Sequence, residues 1–280
     1  MASSTLALTN LSPAHLDGAT ALSREAAWPH RREDWAFMLA LSRGFAAVED
    51  GELVGTALMT PYGADAATIN MVIVSARMRG RGLGRRLMDA ALDTAGAREC
   101  RLVATLEGLP LYEKLGFRAV GEIAQHQGVL ADRLPPAPAA VTWASPDEID
   151  FLIALDRAAC GMDRTQLLHA LAAIGEVAVL RGADGPRGFA VLRPFGRGDV
   201  AGPVVAPSRT EAEQLIAFLM ATRPGRFLRV DTPDVEGIGA FLAHHGLARV
   251  GGGTPMIRNA RSAAPRDGAR TFALASQALG

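Results

Sequence analysis

The sequence predicts an α/β fold with mixed sheets of the α+β kind, built from two similar units in tandem. The chain has 280 residues, which suits two ordinary domains of about 100–200 residues each. A proline-rich segment, residues 132–140, divides the chain nearly in half and stops both helices and strand ladders. The predicted elements then recur in the same order. We therefore expect a first half, residues 1–131, and a second half, residues 141–280, joined by an extended linker.

The first half alternates helical and extended patterns. Apolar residues at helical spacing predict helices, and apolar runs bounded by turn residues predict strands. The predicted helices are residues 12–26, 33–42, 83–95 and 109–115. The predicted strands are residues 44–48, 53–60, 68–74, 101–105 and 117–129. The turn Glu-Asp-Gly-Glu joins the first two strands as a hairpin.

The second half repeats this order of elements. Its predicted helices are residues 147–159, 165–173, 209–221 and 235–245. Its predicted strands are residues 177–180, 188–192, 199–205, 227–230 and 249–257. Leu-Gly-Phe-Arg-Ala-Val-Gly at 115–121 aligns with His-Gly-Leu-Ala-Arg-Val-Gly at 245–251, and Val74 aligns with Val205. We interpret these matches as a tandem repeat of one αβ unit.

Composition excludes several classes of protein. Lys plus Arg and Asp plus Glu number 29 each, so the whole-chain field favours neither nucleic acid nor an anionic membrane. Hydrophobic residues make up 49% of the chain, which is enough to bury cores and argues against disorder. The apolar runs, such as residues 35–41 and 215–221, are too short to span a bilayer. We therefore expect no nucleic acid and no membrane as a partner.

Three features concern the setting of the protein. Cys100 and Cys160 have no spacing typical of a metal or redox site, which favours reduced thiols and a cytoplasmic protein. Residues 1–8 lack the pattern of a signal peptide, which favours the same compartment. Lys114 is the sole lysine beside many arginines, a bias that indicates a genome rich in G and C and a bacterial source.

One segment, residues 74–88, carries a chemical signature. A buried strand ends at Val74, a glycine-rich loop follows, and an amphipathic helix begins near Leu83. Glycines let the backbone approach a ligand closely, and the first turn of a helix offers amide groups without partners at the positive end of the dipole. These features predict a phosphate cradle. The arginines that add charge-assisted donors are Arg77, Arg79, Arg81, Arg85 and Arg86.

The spacing of the glycines narrows the kind of cradle. G-x-G-x-G at residues 80–84 is not the dinucleotide pattern G-x-G-x-x-G, and no Gly-Lys-Ser/Thr is present for a P-loop. R-x-x-G-x-G at residues 79–84, between a strand and a helix, resembles the pyrophosphate loop of the GNAT superfamily of acyl-CoA N-acyltransferases. Pro-Leu-Tyr-Glu-Lys-Leu-Gly-Phe at 110–117 resembles that family's second signature. The chain as a whole resembles tandem GNAT proteins with a degenerate C-terminal domain.

The resemblance implies roles for individual residues. Val72, Ile73 and Val74 would separate from the neighbouring strand and offer backbone groups to the pantetheine arm of acetyl-CoA. The phenol of Tyr112 would be the catalytic acid that protonates the coenzyme A thiolate. The residues that would surround the pyrophosphate are Arg79, Gly80, Arg81, Gly82, Leu83, Gly84 and Arg85. No metal is implied.

The implied reaction is direct attack of an amine on the acetyl thioester. Free alkylamines have a pKa near ~10.4, so a base must remove a proton first. The strand at 68–74 carries no carboxylate, and Asn70 is its sole amide. Glu107, a water chain or a group on the substrate all stay open as the base. Between the first two helices, Trp28 and His30 are interpreted as substrate-binding, and Trp35 as a core anchor.

The second half lacks these features. Gly80, Gly82 and Gly84 align with Glu211, Glu213 and Leu215, and Tyr112 aligns with Leu242. Acidic residues in the first turn of a helix suit its dipole without a ligand and would repel a pyrophosphate. We therefore predict that this half binds no acyl-CoA. It would stabilise the first half, shape the acceptor pocket or form a homodimer.

The favoured function is that of an acetyl-CoA-dependent N-acetyltransferase acting on the amine of a small molecule or amino-acid-like acceptor. Because no base is evident, a CoA-binding regulatory protein without turnover is an alternative. A protein N-acetyltransferase and an interaction protein with a basic loop are others. The acidic residues of the first hairpin, Glu49, Asp50 and Glu52, are expected to be solvated rather than catalytic.

Overall fold

The computed structural model describes residues 6–183, 185–261 and 268–280. Residues 1–5, on which part of the signal-peptide argument rests, lie outside these ranges. Contacts divide the chain into two compact units, Met1–Leu102 (unit 1) and Val103–Gly280 (unit 2). No helix within the described ranges has the length and apolar character needed to cross a membrane.

Unit 1 is an antiparallel sheet that ends in one parallel pair of strands. Its strands, in the order in which they pair, are β1 (Leu6–Asn10), β2 (Arg43–Glu49), β3 (Glu52–Tyr62), β4 (Ala66–Val74) and β5 (Glu99–Ala104), whose last residues belong to unit 2. Strands β4 and β5 are parallel, and the other pairs are antiparallel. The helices are α1 (Leu16–Glu25), α2 (Arg32–Ala40) and α3 (Leu83–Ala95).

Local sequence explains the elements that frame the loop after β4. The β2–β3 turn has positive φ at both central residues, Asp50 (+51°) and Gly51 (+87°), as a tight two-residue hairpin requires. Helix α3 spans the predicted residues because its apolar side chains recur on one face. Gly55 of β3 admits that face closely, since an added Cβ would lie 3.0 Å from Leu87 Cδ1.

Unit 2 contains the second half of the chain together with the end of the first. Its helices are α4 (Leu109–Lys114), α5 (Ile149–Cys160), α6 (Thr165–Ile174), α7 (Arg209–Ala221) and α8 (Gly239–His244). Its first strands are β6 (Arg118–Ala119), β7 (Ile123–Val129), β8 (Val141–Trp143) and β9 (Glu176–Gly182). Its remaining strands are β10 (Gly185–Phe195), β11 (Gly198–Ala206), β12 (Phe227–Pro233), β13 (Ala248–Arg258) and β14 (Arg270–Ala273). Their order is β13-β7-β12-β11-β10-β9-β8, with β14 on β11 and β6 on β13.

Strand β7 belongs to the first half by sequence, yet it pairs with two strands of the second half. Its register joins Val129 to Phe227 of β12 and Gln127 to Ala248 of β13, both antiparallel. The domain boundary after residue 131 stays a prediction, and by contacts residues 103–131 group with the second half in unit 2. Residues 132–140 form neither helix nor strand.

Two predicted elements are interrupted where the structure needs a bend. The strand predicted at 117–129 is divided into β6 and β7, and Gly121, which lies between them, has φ +154°. The helix predicted at 235–245 begins as a 3-10 turn, Asp234–Glu236, and α8 follows after Gly237. Gly237 ends that turn because it has φ +70° and ψ +18°. Strands β1, β8 and β14 were not predicted.

The position of β7 between β12 and β13 leads to a prediction about stability. A Cβ at Gly128 would lie 2.2 Å from Gly246 O, so Gly128→Ala forces the backbones of β7 and its neighbour apart. We expect the free energy of unfolding to fall by about 1–3 kcal/mol, as for other overpacked sites, measured by urea denaturation. Gly251→Ala is the control, since no atom lies within 4 Å of its Cβ position. Equal midpoints for the two variants would contradict this placement of β7.

Candidate functional site

Two glycines in left-handed conformation shape the loop that follows β4. At the exit of the strand, Glu25 Oε1 accepts hydrogen bonds from the Ala76 amide at 2.5 Å and the Ser75 hydroxyl at 3.2 Å. Gly80 and Gly82 both have φ +74°, which other residues rarely adopt. A Cβ built on either glycine would meet no atom within 4 Å. The loop therefore presents its backbone to open space.

Helix α3 begins directly after this loop without a side-chain cap. Gly82 is the N-cap residue, and the first turn carries no acidic residue. The Arg86 amide donates to Gly82 O at 3.1 Å, which leaves the amides of Leu83, Gly84 and Arg85 without an intrahelical acceptor. These three N–H groups lie at the positive end of the helix dipole and favour an anion.

Acidic side chains of the β2–β3 hairpin hold two of the nearby arginines. Arg77 forms ion pairs of 2.8 Å with both Glu49 and Glu52, and Arg81 Nη1 lies 3.2 Å from the other oxygen of Glu49. Glu49 is buried at 7% exposure, so the expectation that it is solvated is wrong. Glu49 can be buried because the guanidinium groups of Arg77 and Arg81 each supply a charged partner.

The other arginines near the loop differ in whether their side chains have a partner in the protein. Arg85 pairs with Asp89 at 2.9 Å, one turn further along α3. The exposed side chains of Arg79 and Arg86 form no hydrogen bond or ion pair within the part of the chain that the structure describes. Arg79 and Arg86 are therefore available to an anionic ligand.

Strand β4 contains a bulge close to its exit. Between the pairs Thr56↔Ile73 and Leu58↔Asn70, β4 has one residue more than β3. Met71 lies in the bulge with φ +49°, and its carbonyl accepts a hydrogen bond of 2.8 Å from the buried Thr56 hydroxyl. A bulge of this kind redirects the strand and its backbone groups.

Strands β4 and β5 pair only where they begin. The pairs join Ala66, Ala67 and Thr68 to the first three residues of β5, and the described residues show no further pair between the two strands. The last part of β4, Val72–Val74, therefore forms no ladder pair with β5 among the described residues. Their role toward a ligand stays a prediction.

A buried chain of polar groups fixes the orientation of Asn70. The Ser42 hydroxyl donates to Met38 O, so the Thr60 hydroxyl donates to Ser42 at 2.7 Å and accepts from Asn70 Nδ2 at 2.9 Å. Nδ2 also donates to Thr68 at 3.2 Å. Asn70 Oδ1 is buried and has no partner among the described residues. It is an amide acceptor, not a base.

The structure adds no carboxylate base on these strands. Glu99 is buried at the start of β5, the end remote from the loop, and accepts a 2.6 Å hydrogen bond from Arg101. Glu107 is exposed in unit 2. No group of three or more His, Cys, Asp or Glu within the described ranges is arranged to hold a metal.

Trp28 and His30 share an open cleft of about 660 Å³ along α1 and the start of α2. Their rings meet edge to face with centroids 5.7 Å apart. The charged residues that line the cleft are Asp17, Arg24, Arg31, Arg32 and Glu33. Trp35 lies outside the cleft, fully buried, and its indole donates to Ser23 Oγ at 2.9 Å, which confirms the prediction of a core anchor.

Tyr112 lies on α4 in unit 2. Its ring lies against Gly108, where an added Cβ would be 2.7 Å from Tyr112 Cε2, and meets Phe117 edge to face at 6.2 Å. Burial raises the pKa of Tyr112 to about 12. The hydroxyl has no hydrogen-bond partner in the described part of the chain. The side chain is therefore a neutral proton donor at ordinary pH.

Helix α7 of the second half corresponds to α3 but has a closed N-terminus. The Ser208 hydroxyl accepts from the Glu211 amide at 3.3 Å and lies 2.7 Å from Glu211 Oε2. Arg187 pairs with the same carboxylate at 3.0 Å, and Arg209 lies 3.6 Å from Glu213. The chain's own side chains thus satisfy this end of the helix.

Comparison with known proteins agrees with this architecture. Residues 13–117 match the profile of the acetyltransferase (GNAT) family, and residues 152–272 match that of an acetyltransferase (GNAT) domain. The uncharacterized N-acetyltransferase YitH of Bacillus subtilis (strain 168) is 31% identical over 284 residues, 98% of each chain.

Solved structures share the fold over nearly the whole chain. A putative acetyltransferase from Pyrococcus horikoshii superposes with a TM-score of 0.82 at 19% identity, covering 98% of this chain and 96% of that one. A tandem GNAT protein from the clavulanic acid biosynthesis pathway gives 0.63 at 16% identity, covering 92% and 100%. At these identities the likeness shows the fold alone.

These findings define an acyltransferase with two copies of a mixed α/β domain. The chain belongs to the GNAT acetyltransferase family, and both the predicted fold class and the predicted tandem arrangement are confirmed.

The bulge in β4 generates a prediction. Thr56→Val keeps the shape of a fully buried side chain but leaves the Met71 carbonyl without its donor. We expect the free energy of unfolding to fall by about 1–3 kcal/mol, the usual cost of an unpaired buried polar group, in calorimetry. Thr94→Val is the matched control, since that exposed hydroxyl bonds only within its own helix. A control that destabilises as much as Thr56→Val would contradict the role of this hydrogen bond.

Proposed function

We propose that the protein is an acetyl-CoA-dependent N-acetyltransferase whose first half binds the cosubstrate. The observation that supports this most directly is the uncapped N-terminus of α3 behind two open, positive-φ glycines. A pyrophosphate fits there because several amide N–H groups and free guanidinium donors face the same loop. Membership of the GNAT family supplies the acyl-CoA chemistry.

The arginines near the loop contribute unequally in this proposal. Arg79 and Arg86 have no partner among the described residues and supply direct donors. Arg81 binds Glu49 through Nη1 only and retains further N–H groups for a phosphate. Arg85 must share its charge with Asp89. Glu49 thus holds the loop's cationic groups in place on the hairpin side.

Tyr112 is the proposed catalytic acid. A thiol such as that of coenzyme A has a pKa near ~8.5, well below the value of about 12 that burial gives Tyr112. The phenol is therefore protonated wherever the thiolate forms. The amine forms the C–N bond, the tetrahedral intermediate collapses with loss of the C–S bond, and the phenol donates its proton to the departing sulfur. The proton that the amine gives up to the base restores the phenol, so the transfer is balanced over the whole step.

The acceptor is proposed to be a small, amino-acid-like amine bound in the cleft that contains Trp28 and His30. The side chains of Arg24 and Glu33 have no partner within the described ranges, so the cleft offers one free charge of each sign. Such a pair suits an acceptor that carries both a carboxylate and an ammonium group. Glu107 and a water chain stay as candidates for the base that deprotonates the amine.

The first of two predictions from this proposal concerns binding. Gly82→Glu places a carboxylate at the N-cap of α3, where it satisfies the free amides and repels a pyrophosphate. Acetyl-CoA at about 100 times its Kd should stabilise the parent by about 2.7 kcal/mol, seen as a rise in Tm, and should not shift this variant. Gly161→Glu is the control, because exposed Gly161 has nearly the same backbone conformation, with φ +73° and ψ +15°.

A thermal shift in Gly82→Glu equal to that of the parent would sink the assignment of the cradle. Binding to the parent without release of thiol across a panel of amines would favour the alternative of a regulatory protein. The absence of a carboxylate on β4 is the observation behind that alternative.

The second prediction concerns turnover. Tyr112→Phe should lower kcat about tenfold or more while leaving acetyl-CoA binding intact, since it removes only the donated proton. Because the pKa of Tyr112 is raised, its loss of a proton begins only above pH 10, so the parent's kcat should show no falling limb from this group between pH 6 and pH 10. Initial rates of thiol release across that range are the measurement. A limb below pH 10 that Tyr112→Phe abolishes, or equal rates for both proteins, would refute the acid role.

A further inference from the structure

In the second half, two parallel strands diverge as β4 and β5 do in the first. Strands β11 and β12 pair through Asp199↔Leu228 and Val200↔Arg229, both near their beginnings. The described residues show no later pair between them, although β11 continues to Ala206. A wedge-shaped slot between β11 and β12 follows, and it opens toward their carboxyl ends.

The last strand of the chain lies in this slot. Strand β14 runs antiparallel to β11, with Arg270 opposite Ala206 at the mouth and Ala273 opposite Val204 further in. The next residue, Leu274, donates its amide hydrogen to Asp231 O of β12 at 2.8 Å. The segment therefore binds the backbones of both walls.

The fit between the segment and its slot is close. A Cβ added to Gly202 of β11 would lie 1.9 Å from Leu274 O, so only glycine admits the chain there. Phe272, Ala273 and Ala275 are fully buried.

Side-chain hydrogen bonds hold the remainder of the segment in place. Arg193 Nη2 donates to Ala275 O at 3.1 Å, and Gln277 Nε2 donates to Asp231 Oδ1 at 2.9 Å. Gln277 Nε2 also lies 3.2 Å from Gln125 Oε1 on β7. Each bond compensates the burial of a polar group, so the segment is integrated into unit 2.

Hydrogen bonds from Arg164 hold the end of the segment, beyond Gln277. Arg164 is fully buried, binds both oxygens of Asp156 at 2.9 and 2.5 Å, and donates to Gly280 O at 2.5 Å.

The slot corresponds to the acyl-CoA slot proposed for the first half. The alignment that matches Val74 with Val205 matches Met71, in the bulge of β4, with Gly202. Residues 270–274 thus run along β11 in the position that the exit of β4 offers to the pantetheine arm. Helix α7, which follows β11, has a side-chain cap from Ser208 and an acidic residue, Glu211, in its first turn, whereas α3 has neither.

We propose that residues 270–280 fill the second half's acyl-CoA slot by strand addition, and that this segment closes the second half to any acyl-CoA. The inference rests on the proposed function for the identity of the slot. The mode is β-augmentation within one chain: main-chain hydrogen bonds hold the strand, and close packing selects it.

Hydrogen exchange followed by mass spectrometry on the full chain tests the occupancy. Amides of residues 270–280 in the parent should exchange about 1,000-fold or more slowly than in a free peptide of the same sequence. Gly202→Ala should raise the exchange rate of this segment at least about tenfold, because the new methyl group displaces Leu274. Gly251→Ala, which adds the same group in open space, should leave the rate within about twofold.

Peptide-like exchange in the parent would overturn the proposal, as would unchanged exchange in Gly202→Ala. If Gly202→Ala does not fold, Gln277→Leu takes its place, since it removes two hydrogen bonds without adding bulk to the backbone. Unchanged exchange of the segment in Gln277→Leu would then overturn the proposal.

Titration calorimetry with acetyl-CoA tests the closure separately. One site per chain in the parent and none in Gly82→Glu are expected. Two sites per chain in the parent would show an open second half and overturn the closure. No binding to the parent would instead refute the proposed function, while the exchange data would still decide whether the segment occupies its slot.

Discussion

Each half of this protein must satisfy the backbone groups that are exposed when two parallel strands diverge. A strand that leaves its neighbour exposes N–H and C=O groups, and burying them without partners costs as much as losing hydrogen bonds. Between β11 and β12 the chain supplies the partner itself, through β14 and the bond from Leu274 to Asp231. Between β4 and β5 the divergence begins after Thr68, and the proposed ligand meets the same need in the first half.

The helices that follow the diverging strands show the same contrast. A side-chain cap contributes about 1 kcal/mol to a helix, and α7 has one from Ser208. Helix α3 has Gly82 in that place and no acidic residue in its first turn. The first half forgoes this stabilisation and leaves amides of the first turn free for the proposed anion, whereas the second half gains it. The two adjustments occur together in the second half, which is what loss of a cosubstrate predicts.

The sequence predicts the parts of the fold that local pattern determines. The bounds of α3 and α7 agree with prediction to the residue, because apolar spacing and the flanking residues define both ends. The partner of β7 was beyond prediction, since the residue pattern of a single strand does not say which strands lie beside it. Strand β14 has four residues, too few for a periodic signal. Burial of Glu49 was missed because it depends on Arg77 and Arg81, which are distant in sequence.

The candidate site likewise has one part that the local sequence predicts and another that depends on the fold. The glycine loop and its arginines are contiguous in sequence, so their pattern could be recognised before the structure was known. Tyr112 is different, because its pKa depends on a buried setting in unit 2, the unit that also holds β7 and the whole second half. The contacts of its ring, with Gly108 and Phe117, both come from the first half of the sequence. The burial that raises its pKa depends on how α4 packs in the folded chain, and the local pattern of residues 109–115 does not reveal that packing.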